Sequence, residues 1–198
     1  YPCDNFYIGG GVFDANFLWD QFVPDDQFDD VWAAGEMGLT FANLGPFCDV
    51  RFAFGGWYDS SDFANVDKGT VESAYGLYGL AEGRLCFDDC TPKEGEASSD
   101  GGLWLFGQWN YADPNTFETH LHYGAGAALH GTFPGREADK LGAYVGRVHY
   151  SNSSAQETAI ELFYAAQITP AVTITPDIQF LLDAGGNDAI TDPIVFSV

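Results

Sequence analysis

Apolar and polar side chains alternate along several long segments of this chain, and no other feature constrains its fold as strongly. Between 172 and 183, the even positions are mostly Val, Ile, Phe and Leu, whereas the odd positions are mostly Thr, Asp and Gln. Successive side chains of a strand face opposite sides of a sheet. The segment therefore predicts a strand with one apolar face and one mostly polar face. Pro176 cannot donate a backbone hydrogen bond to a neighbour, which predicts a bulge or a strand edge there.

The same alternation recurs along the chain and predicts about ten strands. Their predicted ranges are 5–14, 33–42, 48–58, 73–86, 102–111, 118–131, 140–150, 157–168, 172–183 and 193–198. Several of them are longer than the five or six residues typical of globular proteins and match the roughly 9–11 residues of a tilted membrane strand. Short links such as 167–171 predict neighbouring antiparallel strands. Aromatic residues near the strand ends, such as Trp57 and Trp109, are typical of the bilayer interface.

No apolar stretch approaches the roughly 18 residues of a membrane-spanning helix. Helices and closed barrels are the only structures that span a bilayer, since both satisfy every backbone polar group internally. We therefore predict an all-β fold, an antiparallel up-and-down transmembrane β-barrel of the outer-membrane porin type. A soluble lectin-like β-sandwich that binds sugar is the alternative, because it shows the same alternation with shorter strands.

The formal net charge of −22 excludes nucleic acid as a partner, because such a surface repels phosphate. The acidic residues cluster in predicted loops, as expected of a salt-adapted exterior. Calcium binding by oxygen ligands of Asp183, Asn187 and Asp188 is a second interpretation, although the segment lacks the full spacing of a calcium loop. We predict no cofactor, with Ca²⁺ at the acidic loops as the alternative.

The four cysteines predict disulfides, because their even number fits an oxidising compartment and none has the C-x-x-C spacing of a zinc site. Cys86 and Cys90 could close a short loop, which would leave Cys3 and Cys48 for each other. Four cysteines allow three pairings, so the connectivity stays open.

Polar residues on the alternate faces predict a water-filled channel if the apolar faces meet lipid. Carboxylate, amide and guanidinium groups hydrogen-bond hydroxyls, and aromatic faces cover apolar sugar faces. The alternative is that these groups merely solvate a wide lumen. The predicted channel-lining residues are Glu36, Arg51, Glu82, Arg84, His120, His122, His130, Glu161, Asp177 and Gln179.

Enzymatic and metal sites are not predicted. His120 and His122 share a face with Glu118 and could bind zinc, but such pairs in a strand are more often polar lumen groups. Ser60, Ser61, Ser153 and Ser154 lack a nucleophile-elbow or base pattern. We therefore predict that the protein is not an enzyme.

Two motifs resemble the carbohydrate-selective porin (OprB) family. One is G-x-x-x-x-G-x-x-P-G-R-x-x-D-x-L-G, which runs from Gly126 to Gly142, and the other spans 157–187 with E-T-x-I-E-L-x-Y, Q-x-T-P and P-D-x-Q. Segments 35–41, 54–63 and 74–82 resemble earlier strands of the family. The resemblance covers most of the chain and belongs to the C-terminal half of the family's barrel.

The resemblance implies a sixteen-stranded porin, of which 1–198 would be a single, incomplete C-terminal portion. It further implies an outer-membrane channel of a Gram-negative-type bacterium that conducts sugars or other small polar solutes without covalent chemistry. The expected partners are the solute and outer-membrane lipid, and a homotrimer stays open. The alternative function is a non-transporting outer-membrane or cell-surface scaffold barrel whose acidic loops bind cations.

Overall fold

The described part of the chain folds into strands joined by turns and loops, with one single-turn 3-10 helix, Ala184–Gly186. A computed structural model describes residues 5–15, 30–66, 69–86, 101–131, 133–187 and 191–197. No helix in these ranges is long and apolar enough to cross a membrane. The strands are β1 (Phe6–Asp14), β2 (Val31–Leu44), β3 (Phe47–Asp59), β4 (Phe63–Ala64), β5 (Thr70–Val71), β6 (Ala74–Leu85), β7 (Gly102–Ala112), β8 (Thr119–His130), β9 (Lys140–Tyr150), β10 (Gln156–Thr169), β11 (Val172–Ile174), β12 (Asp177–Leu182) and β13 (Ile194–Ser197).

The long strands form one 11-stranded sheet in the order β1-β2-β3-β6-β7-β8-β9-β10-β12-β13, with β11 beside β10. Every pair in it is antiparallel, so the predicted up-and-down arrangement is confirmed. The predicted strands agree closely with those observed, and only the short β4–β5 ribbon between β3 and β6 was not predicted. The interruption at Pro176 is also observed, because β11 ends at Ile174 and β12 begins at Asp177.

The sheet is one layer thick over the described residues. The main contacts between its strands join hydrogen-bonded neighbours. Its apolar face, which carries Met37, Phe54, Val145 and Leu162, is uncovered, and the side chains of Phe54 and Leu162 are both 48% exposed. A β-sandwich would bury these side chains against a second sheet. In the ranges that the structure describes no such sheet packs on them, so the sandwich alternative is not supported.

One disulfide joins Cys48 of β3 to Cys86, which directly follows β6. The antiparallel register pairs Cys48 with Arg84, so the chain beyond β6 passes the beginning of β3, and the two Cα atoms are 6.0 Å apart. The possible pairing of Cys86 with Cys90 is therefore contradicted, and so is that of Cys3 with Cys48, whereas the connectivity that the sequence left open is settled for Cys48 and Cys86. Spacing along the chain suggested those pairs, whereas strand register decides the observed one. Cys3 and Cys90 lie outside the described residues.

The P-G-R-x-x-D part of the family-like motif forms a loop between β8 and β9 that is fastened to β10. The Asp139 carboxylate is 1% exposed and accepts hydrogen bonds from Arg136 Nε at 2.7 Å, the Gln167 backbone N–H at 2.9 Å and the Tyr164 hydroxyl. These donors, the Tyr164 hydroxyl first, hold the pKa of Asp139 below its usual value. The motif therefore has a structural role at the rim of the sheet.

Candidate functional site

The strand register gathers most of the predicted channel-lining residues on one side of the sheet, the polar face, which carries Glu36, Arg51, Glu82 and Glu161. Arg51 is directly opposed to Glu82, and Glu161 is directly opposed to Tyr144 and Gln179. Directly opposed side chains of paired strands lie on the same side of a sheet. One continuous row crosses seven strands in the order Arg51, Glu82, Phe106, Gly126, Tyr144, Glu161 and Gln179.

At one end of this row lies a charged cluster built around the Glu36 carboxylate. Its Oε1 accepts hydrogen bonds from the Tyr7 hydroxyl at 2.6 Å and from Arg51 Nη2 at 3.0 Å. Its Oε2 accepts a hydrogen bond from the Tyr78 hydroxyl at 2.8 Å. Arg51 also donates from Nε to the Tyr7 hydroxyl at 3.0 Å, and its Nη1 lies 3.5 Å from Glu82 Oε1. The cluster therefore spans β1, β2, β3 and β6 and holds one guanidinium between two carboxylates.

The charged cluster remains accessible to water. The side chains of Arg51, Glu36 and Glu82 are 38%, 24% and 39% exposed, respectively. Hydrogen bonds to charged groups restrict these side chains without burying them. The cluster can therefore exchange partners with a hydroxyl-bearing solute while it keeps a fixed arrangement of charge.

A second polar cluster lies on β7, β8 and β9. The Tyr144 hydroxyl lies 3.0 Å from both Gln108 Nε2 and His122 Nε2, and Asn110 Nδ2 lies 3.0 Å from His122 Nδ1. Both ring nitrogens of His122 are thus engaged by neighbouring side chains. The arrangement fits a hydrogen-bonding wall better than a metal site, which would need a free imidazole nitrogen.

Aromatic rings on the polar face lie over glycines of neighbouring strands. A Cβ built on Gly38 would lie 2.4 Å from the Tyr7 ring, one on Gly55 2.3 Å from Tyr78 Cζ, and one on Gly126 2.4 Å from Phe106 Cζ. Such contacts are far too short, so only glycine leaves room for the rings. The ring of Tyr144 lies over Gly124 in the same manner.

These ring–glycine pairs are the functional feature that sequence reasoning missed. Gly38 shares its parity with Glu36, and Gly124 and Gly126 share theirs with His122. Glycines recur at polar-face positions of the predicted strands. This pattern could have indicated that aromatic rings of neighbouring strands lie over those positions.

Arg84, Asp177 and Gln179, which were also predicted to line the channel, are hydrogen-bonded to neighbouring polar side chains. Arg84 donates two hydrogen bonds to Asp49 Oδ2, at 3.0 and 2.7 Å. Gln179 donates to Asp177 Oδ1 at 3.1 Å, and Asp177 also accepts from the Ser197 hydroxyl. These groups remain predicted channel-lining residues.

His120 lies at an irregularity of β8. A register shift between Thr119 and Leu121 interrupts the alternation of β8 at this residue. The His120 ring lies 6.4 Å from the rings of both Tyr111 and His149, which have the parity of the apolar face. The bulge therefore sets His120 apart from the regular alternation of β8, and its place in the channel lining stays a prediction.

Metal ligands do not gather in the part of the chain that the structure describes, where no group of three His, Cys, Asp or Glu side chains could hold an ion. Asp183 binds Asp192 through its backbone N–H at 3.0 Å, and Asp188 lies outside the described residues. Calcium at the acidic loops stays a prediction.

Comparison with known proteins identifies proteins that are similar to this chain. The family model described as "Carbohydrate-selective porin, OprB family" matches residues 5–198. The high-pH structure of Pseudomonas putida OprB superposes with a TM-score of 0.74 at 18% identity, over 99% of this chain and 55% of that one. The low-pH structure gives 0.61 at 18% identity, over 97% and 49%. The chain thus spans about half the length of these structures. Comparison with curated protein sequences gave no significant match.

Proposed function

Because the chain belongs to the carbohydrate-selective porin, OprB family, we propose that it forms part of the wall of an outer-membrane channel for sugars or other small polar solutes. The observation that carries this proposal is the contrast between the two faces of a one-layer sheet. One face presents the clustered Glu36, Arg51 and Glu82, and the other presents exposed apolar side chains. A wall of this kind separates water from hydrocarbon.

The apolar face is suited to lipid. Side chains such as Met37, Phe54 and Leu162 stand uncovered in the described structure, and their transfer from water into hydrocarbon is favourable by roughly 1.5–3 kcal/mol each when complete. Outer-membrane lipid is therefore the proposed partner of this face, in a Gram-negative-type bacterium.

The polar face is suited to a neutral, hydroxyl-rich solute. Arg51 supplies donors, whereas Glu36 and Glu82 supply acceptors, so a sugar hydroxyl can donate to one group while it accepts from another. The tyrosine hydroxyls of Tyr7 and Tyr78 keep the Glu36 carboxylate in place. Because these groups are already hydrogen-bonded and accessible to water, replacing one of their hydrogen bonds by a bond to the solute changes the free energy little. Conduction requires such weak net binding, since the solute must also leave. No covalent step is needed.

The proposal is tested with the intact protein in planar lipid bilayers and in liposomes. We expect open-channel current in salt solution, a reduction of that current by added glucose, and osmotic swelling of liposomes in glucose solution. The matched control is Met37→Leu, which changes the apolar face directly next to Glu36 and should leave all three readouts unchanged. Absence of conductance and of swelling in correctly folded protein would refute the channel and favour the scaffold alternative.

A further inference from the structure

One arginine lies on the apolar face of the sheet. Arg147 of β9 has the parity of Val145 and is directly opposed to Tyr123 of β8 and to Thr158 of β10. Directly opposed side chains lie on the same side of a sheet, so Arg147 shares its side with the uncovered apolar residues. A charged group on a lipid-facing surface is costly unless it lies near the interface or has a partner of opposite charge.

The guanidinium of Arg147 is oriented by a neighbour but is not paired with a carboxylate. Its Nε donates a hydrogen bond at 2.9 Å to Oγ1 of Thr158, a residue that is only 8% exposed. Arg51, Arg84 and Arg136 each form an ion pair with a carboxylate, whereas Arg147 forms none within the described residues. Because the Nε contact fixes the plane of the guanidinium, both Nη groups remain available for a bidentate contact with an external anion.

Further hydrogen-bonding groups lie beside Arg147 on the same face. His149 is two residues further along β9 and is directly opposed to Gln156 of β10. The Tyr123 hydroxyl lies 3.4 Å from His149 Nε2, and the centroids of the two rings are 5.7 Å apart. An imidazole, a side-chain amide and a phenol can each donate a hydrogen bond to an anion. Together with the guanidinium they form the Arg147 patch, which consists of Tyr123, Arg147, His149 and Gln156.

The Arg147 patch lies near one rim of the sheet. β9 ends at Tyr150, three residues beyond Arg147, which is roughly 10 Å at about 3.4 Å per residue. In a strand tilted by about 45° this corresponds to a depth of about 7 Å, and a long arginine side chain reaches across much of it. Trp109 is directly opposed to Tyr123, and the two rings are 38% and 41% exposed. Exposed Trp and Tyr rings are typical of the headgroup level of a bilayer, where lipid phosphates lie.

We propose that the Arg147 patch binds the phosphate of an anionic lipid headgroup, with both Nη groups of Arg147 on phosphate oxygens. Charge complementarity selects this occupant, because phosphate is the anion that lipids present at this level and a guanidinium binds it in a bidentate manner. A zwitterionic lipid neutralises its own phosphate and should bind less tightly. The inference rests on the proposed position of the apolar face in lipid and adds a lipid specificity to it.

The test measures the lipid preference of the intact protein. Dissociation constants for phosphatidylglycerol and for phosphatidylcholine with the same acyl chains are determined by native mass spectrometry from detergent micelles. We expect tighter binding of phosphatidylglycerol, and a decrease of this preference by about fivefold in Arg147→Gln, the factor that corresponds to one basic residue near an anionic membrane surface. Arg147→Lys should retain part of the preference, because it keeps the charge but loses the bidentate geometry.

Lys140→Gln is the matched control, because it removes the same charge from the same strand, whereas Lys140 has the parity of Tyr144 on the polar face. It should keep the wild-type preference. An equal preference for phosphatidylglycerol in the wild type and Arg147→Gln overturns the lipid site. Displacement of phosphatidylglycerol by an equal concentration of inorganic phosphate also overturns it, since the patch would then be a site for free phosphate. Self-association that Arg147→Gln abolishes without a change in lipid preference overturns it in favour of a second copy of the chain.

Conductance of the same variants in planar bilayers separates this inference from the proposed channel. Channel current together with an unchanged lipid preference in Arg147→Gln overturns the lipid site and leaves the channel standing. A lipid preference that depends on Arg147, without any current, supports the lipid site and overturns the channel. If Arg147→Gln does not fold, Arg147→Lys and Thr158→Val decide. Thr158→Val removes the acceptor that orients the guanidinium and should lower the preference for phosphatidylglycerol less than Arg147→Gln would.

Discussion

Adding one methyl group at Gly55 should separate Tyr78 from Glu36. The Cβ of Gly55→Ala would lie 2.3 Å from Tyr78 Cζ and 2.4 Å from its hydroxyl oxygen, whereas ordinary contact begins at 3.4 Å. The ring must therefore retreat by about 1 Å. The Tyr78–Glu36 hydrogen bond is 2.8 Å long and is lost beyond about 3.5 Å. The substitution should break it.

The expected loss of stability follows from two opposing terms. A hydrogen bond to a charged group contributes roughly 1.5–3 kcal/mol, and the wet surroundings of Glu36 favour the low end. Replacing glycine by alanine within a strand gains about 0.5–1 kcal/mol from backbone entropy. The net result for Gly55→Ala is a decrease in the free energy of unfolding by about 0.5–1 kcal/mol.

Gly79→Ala is the matched control, because it makes the same substitution on β6, next to Tyr78. The atom nearest to the added Cβ is the Ala53 carbonyl oxygen at 3.8 Å, so nothing has to move. The entropy term is common to both variants and cancels. Urea unfolding in detergent micelles, followed by tryptophan fluorescence, should therefore place Gly55→Ala about 1.5 kcal/mol below Gly79→Ala.

Equal unfolding free energies of the two variants, within the roughly 0.3–0.5 kcal/mol to which such comparisons agree, would refute the reasoning. The result would mean that Tyr78 does not lie over Gly55, or that its bond to Glu36 contributes nothing.

Three further predictions concern the charge, the crosslink and the rim loop. Glu36→Gln removes one negative charge from the polar face, which at about 10 Å in water changes the energy of a monovalent ion by about 0.4 kcal/mol. Because the anion gains what the cation loses, cation-over-anion selectivity should fall about fourfold, and an unchanged reversal potential in a KCl gradient would contradict this. Cys48→Ser opens a crosslink between residues 38 apart in sequence, so the unfolding free energy should fall by up to about 4 kcal/mol. An equal urea midpoint with and without reductant would count against it. The pKa of Asp139 is lowered in the fold, so its contribution to stability is complete above the ordinary Asp pKa of about 4 and is lost as pH falls through the lowered value. In the wild type, protection of the Gln167 backbone amide from hydrogen exchange should be lost only in acid. In Asp139→Asn the protection should be lost at all pH values. Identical protection in the wild type and the variant would disprove the anchoring role.

The positions of the strands could be predicted from the sequence because apolar and polar side chains alternate along the whole length of each strand in a one-layer sheet. The alternation around Glu36 and Arg51 assigned each residue to the correct face, and Pro176 marked the one interruption. The alternation of apolar and polar residues cannot reveal a β-bulge, however. His120 has the parity of His122 in the sequence, and only the structure shows the register shift beside it.

Contacts between strands were beyond the reach of the sequence. Phe106 lies over Gly126 because β7 and β8 pair in one particular register, and a shift of two residues would preserve the alternation while replacing every partner. The disulfide illustrates the same limit. The short spacing of Cys86 and Cys90 suggested a local loop, but the pairing of β3 with β6 brings Cys86 to Cys48 instead.

In the proposed channel, rings that rest on glycines make the width of the passage depend on pairs of residues. Tyr144 lies close to the sheet only while Gly124 has no side chain. A larger residue at 124 would push the ring away from the sheet and narrow the proposed channel. Widening or narrowing without loss of packing therefore requires two coordinated changes on adjacent strands. Evolutionary selection for solute size in the proposed channel should therefore act on both residues of a ring–glycine pair together. A substitution of only one of the two residues should be selected against.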